Sequence, residues 1–351
     1  MSGEHFNADA SDALFSQKKV TFLAPMQDIT DEGFMRIVAD RGAPDFYMAE
    51  YFRIHEYYEL ERHILESVLW NPQRVCAQFI GENTEHISRA LSELKSYPQI
   101  KMLDLNLGCP APKVYKKNVG GGLLRDTKKI AEILKVVRGE WQGIFSVKMR
   151  TGFDTDEKFE DLFSVILDGK PDFVTIHART VKQLYKGEPN YGCIAKAVKM
   201  ADIPIIANGD ISCAQKAFDV VKSTGCAGVM CGRHAVRNPW IFRQIAEKLG
   251  GKAVFQPALS DVRAYVDALW RNILNCSGRM KFSDSRLKKF LNFVGTAIDP
   301  KGEFLYKMRR AKGVDELMKV CDEFMLENGN AEKHFPQEQY EGICSRPNHE
   351  Q

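Results

Sequence analysis

No stretch of this 351-residue chain approaches the roughly 18 consecutive apolar residues that a membrane-spanning helix needs, so no membrane span is expected. The first residues, MSGEHFNADASDALFSQKK, lack the apolar centre of a secretory signal; residues 1–19 read as a flexible lead-in. The nine cysteines are odd in number and contain no CxxC pair. That pattern gives no basis for a disulfide framework or a zinc site of the usual spacing, and it fits a reducing cytoplasm, with no metal expected. Internal repeats and low-complexity tracts are also missing. The net charge is only +3, which neither requires nor excludes nucleic acid, so the location of the cations matters more than their sum.

What is present describes a soluble globular protein, with 44% hydrophobic and 27% charged residues and enough apolar material for a sizeable core. Cys76, Cys213, Cys226 and Cys231 lie in or beside apolar segments and read as small buried hydrophobes. Short β-type runs alternate with helical patterns from Val20 to about Gly250. The strands are expected at 20–24, 46–50, 75–79, 102–106, 145–148, 173–177, 203–207 and 228–231. Helices are expected at 31–41, 57–68, 84–96, 127–138, 157–168, 194–200, 213–223 and 239–249. Eight βα units point to a TIM (β/α)8 barrel over residues 20–252. After Gly250-Gly251 the alternation stops, and QPALSD reads as a linker to a helix capped by Ser260. Residues 258–328 then read as a small all-helical C-terminal domain, and 329–351 as a mobile polar tail.

In a barrel the loops after all eight strands converge on one face, so polar groups scattered in sequence become neighbours there. One such loop stands out: DLNLGCPAPKVYKKNVGGGLLRD, from Asp104 to Asp126. It places Cys109 at a strand end between a glycine and a proline that fixes the following backbone. Lys113, Lys116 and Lys117 follow, where they would help to stabilise a thiolate or an anionic ligand. Cys109 is therefore a candidate catalytic thiol, either a covalent nucleophile or a general acid. Lys148 ends an apolar run at a parity that aims its amine into the barrel, with Arg150 at the same parity; two such cations call for an anionic partner. His177, followed by Arg179, Gln183 and Tyr185, reads as part of a pocket wall. The glycines of ANGDIS and CGRHA fall after strands seven and eight, where barrels often bind phosphate.

Together these segments resemble the dihydrouridine synthase family, flavin enzymes that reduce specific uridines in transfer RNA. The resemblance is carried by LAPMQDITDEGFMR, QFIG, DLNLGCPAPKV with GGGLL, VKMRTGFD, TIHARTVKQLYKGEPNY, ANGDI and GVMCGRHAVRNPWIF, in the family's order from Leu23 to Phe242. It implies FMN in the barrel mouth, reduced by NADPH or NADH. Pro25 and Met26 would line the flavin, and Gln78 and Lys148 would contact its rings. His177, Asn208, Gly209, Asp210, Gly232 and Arg233 would hold the ring and the ribityl phosphate. It further implies Asn106 near the uracil, Cys109 as general acid, and Glu50, Arg53, Arg179, Gln183 and Tyr185 near the substrate. Ala111-Pro112 departs from the serine or threonine common after the CP pair, which puts the loop's shape in question more than its chemistry.

Transfer RNA binding requires clustered cations. Between Lys281 and Lys312 nine basic residues face only three acidic ones, a net charge of +6. Arg286 and Lys289 in that window are candidate RNA contacts, with Lys113 and Lys116 in the barrel loop, and Tyr115 and Tyr185 as stacking platforms for an extruded base. A flavin barrel acting on a free pyrimidine and a non-catalytic RNA-binding barrel are the competing readings. The expected state is a cytoplasmic monomer.

Overall fold

The computed structural model describes residue 15 and residues 19–276, 283–299 and 301–336. Eight strands, β1 (Val20–Leu23), β2 (Phe46–Arg53), β3 (Val75–Ile80), β4 (Met102–Leu107), β5 (Ile144–Arg150), β6 (Phe173–His177), β7 (Ile205–Asn208) and β8 (Gly228–Cys231), form a closed parallel barrel in sequence order. The TIM barrel followed by C-terminal helices is thus present as expected. At the seam Val20 N–H donates to the Ala227 carbonyl at 3.1 Å. A Cβ on Gly228 would lie 2.2 Å from the Val20 carbonyl oxygen, so only glycine allows the seam to close.

Contacts divide the chain into two compact units. One comprises Met1–Glu32, Asp45–Asp210 and Asp219–Met230; the other comprises Gly33–Pro44, Ile211–Phe218 and Cys231–Gln351.

In the first unit, alternate residues of each strand face the barrel interior. The lowest interior layer is apolar: Phe22, Phe46, Met48, Cys76, Met102, Phe173, Ile206 and Met230. Phe22 lies 5.0 Å from Phe46 and 5.4 Å from Phe173, ring centre to ring centre. Phe15, from the segment read as a lead-in, packs 5.5 Å from Phe173 and closes this end. Above it the interior turns polar. Gln78, Asp104 and Ser146 stand side by side in the ladder of β3, β4 and β5, and Asn106, Lys148 and Thr175 occupy the next layer in β4, β5 and β6.

In the second unit, helices Leu259–Cys276, Ser283–Ile298, Glu303–Arg310 and Gly313–Met325 bury Val262, Tyr265, Leu269, Phe290, Val294, Phe304, Met308, Leu317 and Cys321. Most of the first barrel helix, Glu32–Ala39, belongs here: Phe34 packs 5.7 Å from Phe290, and Arg41 lies over Tyr265. The helix at Leu259 is opened by Asp261, whose Oδ2 accepts from Ala258 N–H at 2.8 Å, and not by the expected Ser260. The first residues of the expected tail are packed. His334 bridges to Ala258, and Phe335 is fully buried under the Arg237 guanidinium. Residues 337–351 lie outside the described residues.

Candidate active site

The interior polar residues form one hydrogen-bonded chain. Ser146 Oγ donates to Asp104 Oδ1 at 2.6 Å, and Gln78 Nε2 donates to Asp104 Oδ2 at 2.7 Å. Asn106 Nδ2 donates to Gln78 Oε1 at 2.9 Å. Asn106 Oδ1 accepts from the backbone N–H groups of Gly108 at 3.0 Å and Cys109 at 2.9 Å. Gln78, Asp104 and Ser146 are 0% exposed. Burial pushes the Asp104 carboxyl up to about 7, against the pull of its two hydrogen bonds and of Lys148.

Cys109 lies at the mouth of this stack, half-buried. Burial raises its thiol above the ordinary range, while hydrogen bonds from the Ala111 backbone and Tyr51 and the charges of Arg150 and Lys148 oppose the shift. The expectation that Lys113, Lys116 and Lys117 would favour a thiolate is therefore corrected: all three are exposed, and desolvation prevails. Behind the loop, Gly121 N–H donates to the Cys109 carbonyl at 3.2 Å. A Cβ there would fall 2.8 Å from the Cys109 oxygen and 2.6 Å from Val181, so the glycine run allows the returning chain to lie against the cysteine loop.

Lys148 makes one polar side-chain contact among the described residues, 3.4 Å from Nζ to Asn208 Oδ1. Burial, with Arg150 nearby, lowers its ammonium to about 8. Arg150, expected to reach into the pocket beside it, instead donates to three backbone carbonyls: Gly108 from Nε at 3.0 Å, and Thr180 at 2.8 Å and Leu184 at 2.7 Å from Nη1. Its charge thus holds two loops around the mouth. Arg179 is 3% exposed and similarly committed, pairing with Asp210 and donating to the Gly187 carbonyl at 3.0 Å from Nε.

His177 and Asn208 stand side by side at the ends of β6 and β7, and Asn208 Nδ2 donates to the Met230 carbonyl at 2.8 Å. Gly209 has φ +117°, and its carbonyl accepts from the Tyr191 hydroxyl. Pro25 and Met26 form the turn after β1, where Met26 N–H donates to Thr30 Oγ1 at 2.9 Å. Gln183 Oε1 accepts from Thr180 N–H at 2.7 Å, and Tyr185 stays 39% exposed with its ring 6.4 Å from His177. Tyr115 packs edge-on against Phe153. Glu50 is half-buried and Arg53 exposed, both in β2.

Gly232 and Arg233 open the second unit's short helix Arg233–Arg237. In that unit Arg286 and Lys289 are half-buried. Lys288 donates to the Ala311 carbonyl at 2.6 Å, and Lys307 pairs with Glu323 at 2.6 Å. Between 281 and 312 the exposed cations among the described residues are Lys301, Arg309, Arg310 and Lys312, with Arg310 lying 3.6 Å over the 58%-exposed Tyr306. Lys281 lies outside the described residues.

Two residues escape the sequence reading. Asp104 could have been found as a polar residue at inward parity in LDLNL. Tyr51 could not, because β2 carries an extra residue between Met48 and Tyr51 that turns Tyr51 opposite Gln78.

The sequence pattern of the family described as Dihydrouridine synthase (Dus) matches residues 22–328. A Helicobacter pylori (strain J99) protein named "Probable tRNA-dihydrouridine synthase" is 34% identical over 236 residues, 66% of this chain and 71% of that one. A Xanthomonas axonopodis pv. citri protein named "tRNA-dihydrouridine synthase B" is 32% identical over 69% of this chain and 73% of its own. A Neisseria meningitidis (strain Z2491) protein named "tRNA-dihydrouridine(16) synthase" is similar at 27% identity over 88% of this chain and 95% of its own.

Proposed function

The chain belongs to the dihydrouridine synthase family, and from that premise we propose that it reduces the C5–C6 double bond of uridines in transfer RNA, using FMN and NADPH or NADH. The observation that carries this reading is a thiol kept protonated at the mouth of a barrel whose interior Lys148 forms no salt bridge among the described residues. An ammonium that meets the amide of Asn208 and forms no salt bridge among the described residues, with His177 in register beside Asn208, suits a planar, electron-rich ligand such as a flavin. Gln78, which orients Asn106, would hold such a ring together with Lys148, and the loop after β7, where Gly209 has a positive φ, would hold its phosphate. When bound, FMN supplies the hydride that arrives at uracil C6.

Hydride addition at C6 leaves negative charge on C5 and O4, and a proton at C5 completes the reduction. Cys109 supplies that proton, because its raised thiol is loaded at neutral pH. The Tyr51 hydrogen bond and the charges of Arg150 and Lys148 then stabilise the thiolate left behind. Asn106 fixes the cysteine backbone during the transfer. Tyr185, exposed beside His177, offers a ring face to an extruded base. The exposed Lys301, Arg309, Arg310 and Lys312 with Tyr306, and separately the loop lysines 113, 116 and 117, offer phosphate contacts.

The test is direct. Purified protein binds FMN, and with NADPH it converts unmodified transfer RNA to a dihydrouridine-containing product. Protein that cannot be reconstituted with FMN overturns the flavin reading. Turnover of free uracil or orotate alone overturns the RNA reading.

A further inference from the structure

Each hydrogen bond beneath Cys109 has a direction, and one carboxylate sets them all. A carboxylate only accepts, so Gln78 must turn its NH2 toward Asp104 and its oxygen away. That oxygen takes the Asn106 NH2, which leaves the Asn106 oxygen facing the loop. There it accepts two backbone N–H groups, one of them that of Cys109. Reversing Asn106 would set its NH2 against those N–H groups, and reversing Gln78 would set its oxygen against the carboxylate and its NH2 against that of Asn106. Amide shape alone does not choose between the two orientations; the hydrogen-bond partners do.

We propose that Asp104 is a positioning residue for Cys109, its acceptor-only carboxylate holding Gln78 and Asn106 in the single orientation that anchors the cysteine backbone. The proposal rests on the reading of Cys109 as proton donor. A satisfied core carboxyl is the plain alternative, but this one is fully buried with no salt bridge among the described residues, where an apolar side chain would avoid the desolvation cost. Ser146 completes the device. Its hydroxyl donates to Asp104 now, and can turn to accept if the acid becomes protonated or is replaced by an amide. The remaining oxygen then still serves Gln78, so either Asp104's charge or the Ser146 hydroxyl suffices to keep the chain in order.

The test is a double-mutant cycle on the full-length flavoprotein, reading iodoacetamide labelling of Cys109 resolved by peptide mass and, separately, uridine reduction. Asp104→Asn and Ser146→Ala each lower both rates by about threefold, whereas the pair lowers them by about fiftyfold, well beyond the roughly ninefold expected of independent losses. Losses that simply multiply, or a pair within threefold of wild type, overturn the proposal. Should the double variant fail to fold, Ser146→Ala alone decides through pH. The charged and titratable groups facing Asp104 are Lys148, unchanged in the variant, and Cys76, which loses a hydrogen bond with Ser146 but is held by burial well above its ordinary range and stays protonated in both proteins, so the ratio of their rates reports Asp104. Loss of the Ser146 hydrogen bond raises the Asp104 carboxyl further, so that ratio is level only on the alkaline side and falls as the pH is lowered through neutrality and the carboxyl takes up its proton. A ratio level from pH 8.5 to about 5.5 overturns the proposal, since Asp104 titrates between. Labelling that follows this pattern without any uridine reduction would uphold the positioning role while removing the proposed reaction.

Discussion

Arg150 reaches 42 residues back along the chain to the Gly108 carbonyl, 3.0 Å from its Nε. The same guanidinium holds Thr180 and Leu184, so the loops after β4 and β6 meet on one buried cation. Arg150→Met leaves three carbonyls without their donor and should lower stability by about 3 kcal/mol, measured as a shift of the urea midpoint. Arg150→Lys recovers only part of this, because an ammonium cannot reproduce the planar fork.

Cys109 gives the reaction a specific pH dependence. Its protonated form is the active one, and burial holds the thiol above its ordinary value. Single-turnover uridine reduction should therefore be level through neutral pH and fall only on the alkaline side. Cys109→Ala should bind flavin and oxidise NADPH normally yet reduce uridine at least about a hundredfold more slowly. Full activity in that variant would remove the general-acid role.

Burial, with the charge of Arg150 nearby, lowers the Lys148 ammonium to about 8. Below that pH the ammonium is present, so FMN affinity, followed by flavin fluorescence, should be constant from pH 6 to about 7.5 and weaken as the pH rises through 8. Lys148→Met should weaken binding by about tenfold at neutral pH and abolish this dependence.

The exposed cations of the helical region separate from the structural ones. Arg310→Glu with Lys312→Glu should weaken transfer RNA binding by about tenfold or more and make its salt dependence shallower, with NADPH oxidation unchanged. Lys288→Ala should instead lower the melting temperature, because Lys288 holds the Ala311 carbonyl at the end of the Glu303–Arg310 helix.

Strand order, barrel closure and the position of Cys109 were legible because period-two alternation and turn residues are local signals. β6 and β8 match their expected limits, and β5 runs longer because Lys148 and Arg150 stay in register with Thr175 and His177. Parity also placed Lys148 and Arg150 on one face, yet it could not show that Arg150 would be taken up by carbonyls on other loops. Tyr51 was hidden by an extra residue that inverts parity after Met48. Ionisation was misread for a related reason: counting lysines near Cys109 in sequence says nothing about solvent, and burial decides the shift. Charge density between 281 and 312 was visible, but which of those cations are spent on the fold depends on partners up to 23 residues away.

Phe34 and Phe290 belong to one packed unit although 256 positions separate them, so the ring of Phe34 leaves the ribosome long before its partner exists. At about 5–20 residues per second that interval is on the order of 10–50 s. Throughout it the apolar side of helix Glu32–Ala39 lacks its cover, which makes the nascent chain, during that window, a natural client for a holding chaperone.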